Sequence, residues 1–379
     1  MFSKNKIKTG DRFMKSLYKN FFNFLKDYTC NWLSYHLNYP FIKPWRVNFD
    51  ITHRCPLKCI MCGIWKKKPL VKNELTLKEL KQIVDEIYEW GIDHISLAGG
   101  ETLVRASDVV ELIKHASKKP YMRIDLITNA YYLNKKLCEK LIKSGVSKIS
   151  LSLDGATAKT HDFIRGKGNF KQVLNAAKIL LRLKKKYRSK VELEFTTVVM
   201  GYNFRELVDI FNLMQRIGFD YINYQAVVPD NTFNSNLDEI KKFYESSLWI
   251  REGDLPLLEK IVKKLVLLKK KTGKIRNTRR YLLNLPKYFK LKEKFRAGKC
   301  IAGYSYLNID PYGNINVCGF GPNLNIRNFS SLTELWKHKK YKLTRIKIKN
   351  CKRPCLMLCY EKLNFKELLE AWLEVRGWI

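Results

Sequence analysis

The chain has 379 residues, of which 46% are hydrophobic, enough to bury a substantial core and too apolar for wholesale disorder. No uninterrupted apolar run reaches the roughly 18 residues that a bilayer-spanning helix needs, and MFSKNKIKTGDRF has neither an apolar h-region nor a small-residue cleavage site, so the expected location is the cytoplasm. With 72 Lys and Arg against 35 Asp and Glu the net charge is +37, a field that attracts polyanions such as nucleic acid, anionic lipid headgroups or acidic substrates.

Residues 1–46 read as a leader helix. Phe13, Leu17, Phe21, Phe24, Leu25, Tyr28 and Trp32 recur at helical spacing, with Lys15, Lys19, Asn20 and Lys26 on the other side. An aromatic apolar face beside a basic polar face suits a helix packed on a neighbouring domain, or one lying in a membrane interface. Peripheral association with an anionic membrane is therefore one expectation. The lysines form no single block of the kind a nucleic-acid arm shows, so nucleic acid is not favoured as a partner.

From 47 to 228 short β-rich runs alternate with amphipathic helical ones. Strands are expected at 47–51, 95–98, 124–128, 149–153, 191–199 and 221–225, and helices near 76–90, 107–117, 134–144, 169–187 and 203–217. Gly91, Gly145 and Gly218 stand where helix C-caps would be. Six strand–helix units imply an α/β fold, a partial (β/α)6 TIM-like barrel with function on the loops after its strands. Residues 229–299 read as a connector: a polar stretch over 229–236, then a basic helix with Leu257, Leu258, Ile261, Leu265 and Leu268 on its apolar face. From 300 to 379 the chain is cysteine- and turn-rich, closing on a helix with Phe365, Leu368, Leu369, Trp372 and Leu373 on one face.

The ten cysteines fall mainly in two groups, Cys55/Cys59/Cys62 and Cys300/Cys318/Cys351/Cys355/Cys359, with Cys30 and Cys138 apart. Without an export signal such clusters read as metal ligands rather than disulfides. Residues 49–65, FDITHRCPLKCIMCGIW, place three cysteines directly after the first strand. Three thiolates on a 4Fe–4S cubane leave one iron open for another ligand. A tetrahedral zinc site would need a fourth ligand, and His53 is too close in sequence to close it easily.

Cys-x3-Cys-x2-Cys after a first strand resembles the signature of the radical S-adenosylmethionine (SAM) superfamily. The resemblance implies that the open iron chelates the amino and carboxylate groups of SAM, that Met61 packs near the adenine, and that reductive cleavage of SAM gives a 5′-deoxyadenosyl radical. Gly99-Gly100-Glu101 after the second strand resembles the family's Gly-Gly-Glu motif, which implies close backbone approach to SAM and a carboxylate on its ammonium; Thr102 stands where relatives usually have Pro. Thr128-Asn129-Ala130 is similar to the family's Thr-Asn-Gly, implying Asn129 near the ribose. Ser150-Leu151-Ser152-Leu153-Asp154-Gly155, followed by His161 and Arg165, looks like the family's Ser-Leu-Asp-Gly segment. It implies Ser152 and Asp154 facing ribose and substrate, with Arg165 on the SAM carboxylate.

Asp310–Gly313 reads as a hairpin turn that carries Cys300 and Cys318 toward each other. Cys300-x12-Gly313-x4-Cys318 resembles the opening of a SPASM or twitch extension. That resemblance implies one auxiliary 4Fe–4S cluster, on Cys300, Cys318, Cys351 and Cys355 with Cys359 as alternate. The expected function is a radical SAM oxidoreductase abstracting hydrogen from a peptide or protein. The alternatives are the same chemistry on an anionic lipid or prenyl-type substrate, and a non-enzymatic zinc or iron–sulfur nucleic-acid-binding protein. A low-potential electron donor, ferredoxin or flavodoxin, is the implied partner.

Overall fold

A computed structural model describes residues 25–26, 29–229, 237–295, 300–317, 320–351 and 355–357. Most of the leader's expected apolar face, Cys318, Cys359, the polar stretch past Pro229 and the expected final helix lie outside the described residues.

Strands β1 (Arg46–Asp50), β2 (His94–Ala98), β3 (Arg123–Thr128), β4 (Lys148–Ser152), β5 (Glu192–Val199) and β6 (Tyr221–Ala226) alternate with α1 (Leu77–Glu89), α2 (Ala106–Ser117), α3 (Lys135–Lys143), α4 (Ala158–Arg165), α5 (Asn169–Lys186) and α6 (Leu207–Ile217). Helices α1, α3 and α4 start on the side-chain N-caps Thr76, Asn134 and Thr157. In α1, Thr76 and Glu79 form a reciprocal capping box, and Leu80, Ile83, Val84 and Ile87 bury the stripe that their spacing defines.

The strands run parallel in the order β6-β5-β4-β3-β2-β1-β7, a half-barrel of the expected class. The seventh strand, β7 (Tyr306–Ile309), was not expected in this sheet; it pairs in parallel with β1, Val47 opposite Leu307. The predicted hairpin does form beyond it: Asp310 N donates to Asn314 O at 2.9 Å and Ile309 bridges Ile315. Periodicity marks β7 as a strand but cannot tell which edge it joins.

One face of the sheet is the core. Val47, Ile95, Ile124, Ile149, Leu193 and Ile222 are fully buried, packed with the helices. The alternate side chains are polar. Asp125 is reached by His94 at 3.0 Å, Arg123 at 3.1 Å and Lys148 at 3.2 Å, and Lys148 also pairs with Glu194 at 3.3 Å. Period-2 alternation thus gives the sheet one oily and one charged side.

The connector holds α7 (Leu237–Glu245), α8 (Leu255–Thr272) and α9 (Arg279–Leu291). In α8 the buried positions are Leu255, Leu258, Val262 and Leu265, whereas Leu257, expected on the apolar face, is 41% exposed because it sits one step off that 3–4–3 spacing. The segment between α8 and α9 covers the edge of β6: Ile222 N donates to Lys274 O, and Asn277 exchanges hydrogen bonds with the Tyr224 backbone at 2.7 and 2.6 Å. Ahead of the sheet, residues 29–37 are helical. That helix stops where Asn38 takes a left-handed φ of 52°, and its Tyr35 packs with Ile301 and Tyr304. After β7, α10 (Leu332–Lys337) and α11 (Lys339–Lys349) complete the described elements.

Candidate active site

The loop after β1 carries Cys55, Cys59 and Cys62, and both ends of it are pinned. Glu74, buried, accepts from Thr52 Oγ1 at 2.5 Å and from Arg54 at 2.9 Å. Ile60 N donates to Ile164 O at 3.0 Å, which holds the loop's centre against α4. Burial pushes the Cys55 thiol up to about 11 and raises that of Cys59, against the pull of Arg165. A metal must therefore displace a proton from each buried sulfur.

Gly99 and Gly100 follow β2, and their backbone zips to the cysteine loop: Gly100 N donates to Thr52 O at 2.7 Å and Glu101 N to Arg54 O at 2.8 Å. A Cβ on Gly99, at φ 136°, would lie 2.5 Å from Thr52 O, and one on Gly100 would lie 2.4 Å from Arg54 O. The close approach that these glycines permit is to the cysteine loop itself, a tighter reason than the approach to cofactor that their motif implies. Thr102, in the place of the usual proline, donates from Oγ1 to Ile127 O at 2.9 Å, tying this loop to β3.

Glu101 is 1% exposed. Its Oε1 accepts from Thr128 Oγ1 at 2.6 Å and Leu103 N at 3.0 Å, and its Oε2 from Asn129 N at 2.8 Å. Burial raises its pKa while those three donors and Arg165 oppose the rise. The carboxylate expected on the SAM ammonium is thus also the clamp between the second and third loops.

Asn129 uses every polar group. Its Nδ2 donates to Cys55 Sγ at 3.6 Å, its Oδ1 accepts from Tyr131 N at 3.0 Å, and its carbonyl accepts from Asn169 Nδ2 at 3.2 Å. Ala130, where relatives have glycine, adopts the left-handed φ of 65° that explains the family's preference.

Asp154 departs from its expected place. It is fully buried, accepts from Arg165 Nε at 2.6 Å and Val198 N at 2.7 Å, and does not border the cavity beside the cysteines. β4 ends at Ser152, and the turn after it carries Asp154 behind the wall. Its ion pair fixes Arg165, whose Nη1 lies 4.0 Å from Cys59 Sγ. His161, for which the sequence suggested no role, accepts from Asp154 N at Nδ1 and meets Asn169 Oδ1 at 2.9 Å through Nε2, so it is the neutral Nε2–H tautomer. Burial and Arg165 lower its pKa. His161 and Asn169 join α4, α5 and the third loop, and only the fold reveals that pairing.

Cys55, Cys59, Cys62, Met61, Ser152 and Arg165 line one cavity of about 220 Å³ at the C-terminal ends of the strands, shared with Glu101, Asn129 and Gln225. Gln225 was not foreseen; its Nε2 lies 3.2 Å from Met357 Sδ, which brings the chain just past Cys355 to the cavity wall. Of the second cysteine group, Cys300, Cys351 and Cys355 are described; among the described residues no three His, Cys, Asp or Glu close on a single ion. A cubane spreads its thiolates over separate irons, and three sulfurs in one loop beside a fixed guanidinium and carboxylate fit such a cluster with an amino-acid-bearing ligand.

The radical SAM superfamily model matches residues 49–227. The AdoMet-dependent heme synthase of Methanosarcina barkeri is 29% identical over 211 residues, 55% of this chain and 58% of that one, so the chain spans little more than half of that relative. The PqqA peptide cyclase of Bradyrhizobium diazoefficiens is 24% identical over 85% of this chain and 80% of its own. Streptococcus suis SuiB bound to S-adenosylmethionine superposes with a TM-score of 0.61 at 15% identity, covering 80% of this chain and 68% of SuiB; SuiB bound to its precursor peptide SuiA gives 0.60 at 17% over 79% and 66%. These matches set aside the non-enzymatic metal-binding alternative. Residues 49–227 are thus a domain of the radical SAM superfamily, whose enzymes work with a 4Fe–4S cluster and SAM.

Proposed function

We propose that this enzyme cleaves SAM reductively and that the 5′-deoxyadenosyl radical abstracts a hydrogen atom from a peptide. The observation that carries the reading is the gathering of Cys55, Cys59, Cys62, Met61, Asn129, Ser152 and Arg165 around one cavity at the strand ends. When bound, the cluster supplies the electron that splits the sulfonium into methionine and the radical, and a low-potential ferredoxin or flavodoxin restores it.

The residues have separate tasks in this reading. Cys55, Cys59 and Cys62 would hold the cluster. Arg165, braced by Asp154, offers its guanidinium to the SAM carboxylate. Glu101 sets the Asn129 backbone, and Ser152 meets the ribose. The peptide substrate is supported by the PqqA peptide cyclase, which aligns over most of this chain, and by the likeness of fold to SuiB with its precursor peptide.

We further propose the division 1–46, 47–228, 229–299 and 300–379, with an auxiliary cluster on Cys300, Cys318, Cys351 and Cys355 and with Cys359 as alternate. Protein reconstituted anaerobically with iron and sulfide is expected to carry about eight irons, four per cubane, and to form 5′-deoxyadenosine on reduction. Changing Cys55, Cys59 and Cys62 together to Ala should abolish that product, whereas Cys300→Ala should bring iron to about four with the first cluster retained. Continued SAM cleavage by the triple variant would falsify the reading.

A further inference from the structure

We propose that the end of the sheet opposite the cysteine loop is a docking surface for an anionic lipid bilayer. From the helical segment 29–37 up to β1 the chain exposes Trp32 at 44%, Leu37 at 58%, Tyr39 at 44%, Phe41 at 48% and Trp45 at 42%. Two ring pairs form along this stretch. The Trp32 ring sits 4.3 Å from His36, one helical turn on, and Tyr39 lies 5.1 Å from Phe41. The segment is held in place from behind: Tyr35 is buried against Ile301 and Tyr304, and Lys349 Nζ donates to Tyr35 O at 3.1 Å.

Phe41 and Trp45 also line a cavity of about 830 Å³, together with Trp90, Trp336 and the lysines 26, 43 and 337; Asp93 is the one acidic residue among its described lining. Lys43 is spent on the end of α1, donating to Trp90 O at 3.2 Å and Gly91 O at 2.5 Å, whereas Lys26, Lys337, Lys339 and Lys340 are exposed. Tyr121, 95% exposed, lies on the loop entering β3, at the same end of the sheet. Indole and phenol rings among lysines, with almost no acid, match a headgroup region in both polarity and charge. An acidic protein partner would complement the charge but gives no reason for rings exposed singly along fourteen residues of chain.

The placement has a consequence for catalysis. The cavity with Lys26, Lys43 and Lys337 takes residues just before β1, β2 and β7 together with the helical segment ahead of the sheet and α10, and the cysteine cavity takes residues at and just after the C-terminal ends of the strands. A bilayer docked at the foot leaves the cysteine cavity facing the aqueous side. The membrane is then an anchor and not the source of substrate, which separates this surface from the lipid-substrate alternative.

Flotation of the full-length protein with phosphatidylcholine vesicles, with and without phosphatidylglycerol, tests the surface without cofactor or turnover, so its outcome is independent of the catalytic reading. The protein should float with the anionic vesicles only. Joint Trp32→Ala and Phe41→Ala should weaken this about tenfold, and joint Lys26→Glu and Lys337→Glu should reduce it and its dependence on phosphatidylglycerol. Joint Phe163→Ala and Tyr202→Ala, an exposed ring pair 4.9 Å apart at the other end of the sheet, should leave it unchanged. Unaltered melting temperatures establish that each variant folds. No preference for anionic vesicles, undiminished flotation of the aromatic variant, or equal loss in the Phe163/Tyr202 variant overturns the proposal.

Discussion

Asp154 Oδ2 accepts from Arg165 Nε at 2.6 Å, and neither residue is more than a tenth exposed. The same carboxylate holds Val198 N through its other oxygen. One side chain therefore joins β4, α4 and β5 behind the cysteine cavity and leaves Arg165 a single orientation. Asp154→Asn keeps the shape but strips the charge from a buried pair. A loss of about 3 kcal/mol of stability is expected from an uncompensated guanidinium, read as a lower denaturation midpoint. SAM affinity, followed by equilibrium dialysis on reconstituted protein, should fall with it. Unchanged affinity would mean that Arg165 does not bind the cofactor carboxylate.

Asn129 gives a second prediction, through a different observable. Its Nδ2 donates to Cys55 Sγ, and a donor on a cluster thiolate stabilises the more negative, reduced state. Asn129→Leu removes about 1 kcal/mol of that preference, so the midpoint potential of the SAM-binding cluster should move to a more negative value in an electrochemical titration followed by electron paramagnetic resonance. An unmoved potential would reduce Asn129 to a purely structural tie.

Asp125 connects the polar side of the sheet to pH. Burial alone would raise its pKa, but the His94 hydrogen bond and the charges of Lys148, His94 and Arg123 outweigh it and hold it at about 2, against 3.8 for the ordinary group. A carboxyl with a depressed folded value stabilises above its unfolded value and loses that contribution as pH falls through the folded one. Stability should therefore drop by about 2 kcal/mol between pH 4 and pH 2 on this account. Asp125→Asn should be less stable at neutral pH and show a shallower acid transition by circular dichroism.

These relationships mark where the sequence is a good guide. The strands β1 to β6 and five of the six helices between and after them follow from apolar spacing and caps such as the Thr76–Glu79 box, all local in the chain, whereas α4 (Ala158–Arg165) was not expected. The three cysteines, Met61 and Arg165 are legible because they stand in short motifs after strands. Asp154 is equally legible as a motif residue, yet its place is decided by the turn after Ser152, which spacing does not specify. His161 and Asn169 carry no motif; their bonds to Asp154 N and Asn129 O exist only once α4 and α5 dock on the third loop. The same holds for β7, whose partner strand lies some 260 residues earlier.

Gly100 offers the most direct test of how the two motif loops depend on each other. Its amide bonds Thr52 O, and a methyl group there would sit 2.4 Å from Arg54 O and 2.7 Å from His53 O. Both obstacles are backbone atoms of the loop that Glu74 staples, so neither can swing aside as a side-chain tip would. Relief requires the cysteine loop to move away from β2, which would break the Glu101 N to Arg54 O bond at 2.8 Å and displace Cys55 from Asn129. Gly100→Ala should cost about 3 kcal/mol, in the range of overpacking and strain at buried sites. It should also lower the iron content taken up at Cys55, Cys59 and Cys62 in a protein lacking Cys300, where no auxiliary cluster confuses the count. Full iron uptake with native stability would show that the two loops are not coupled through this contact, and that the glycine serves the bound cofactor instead.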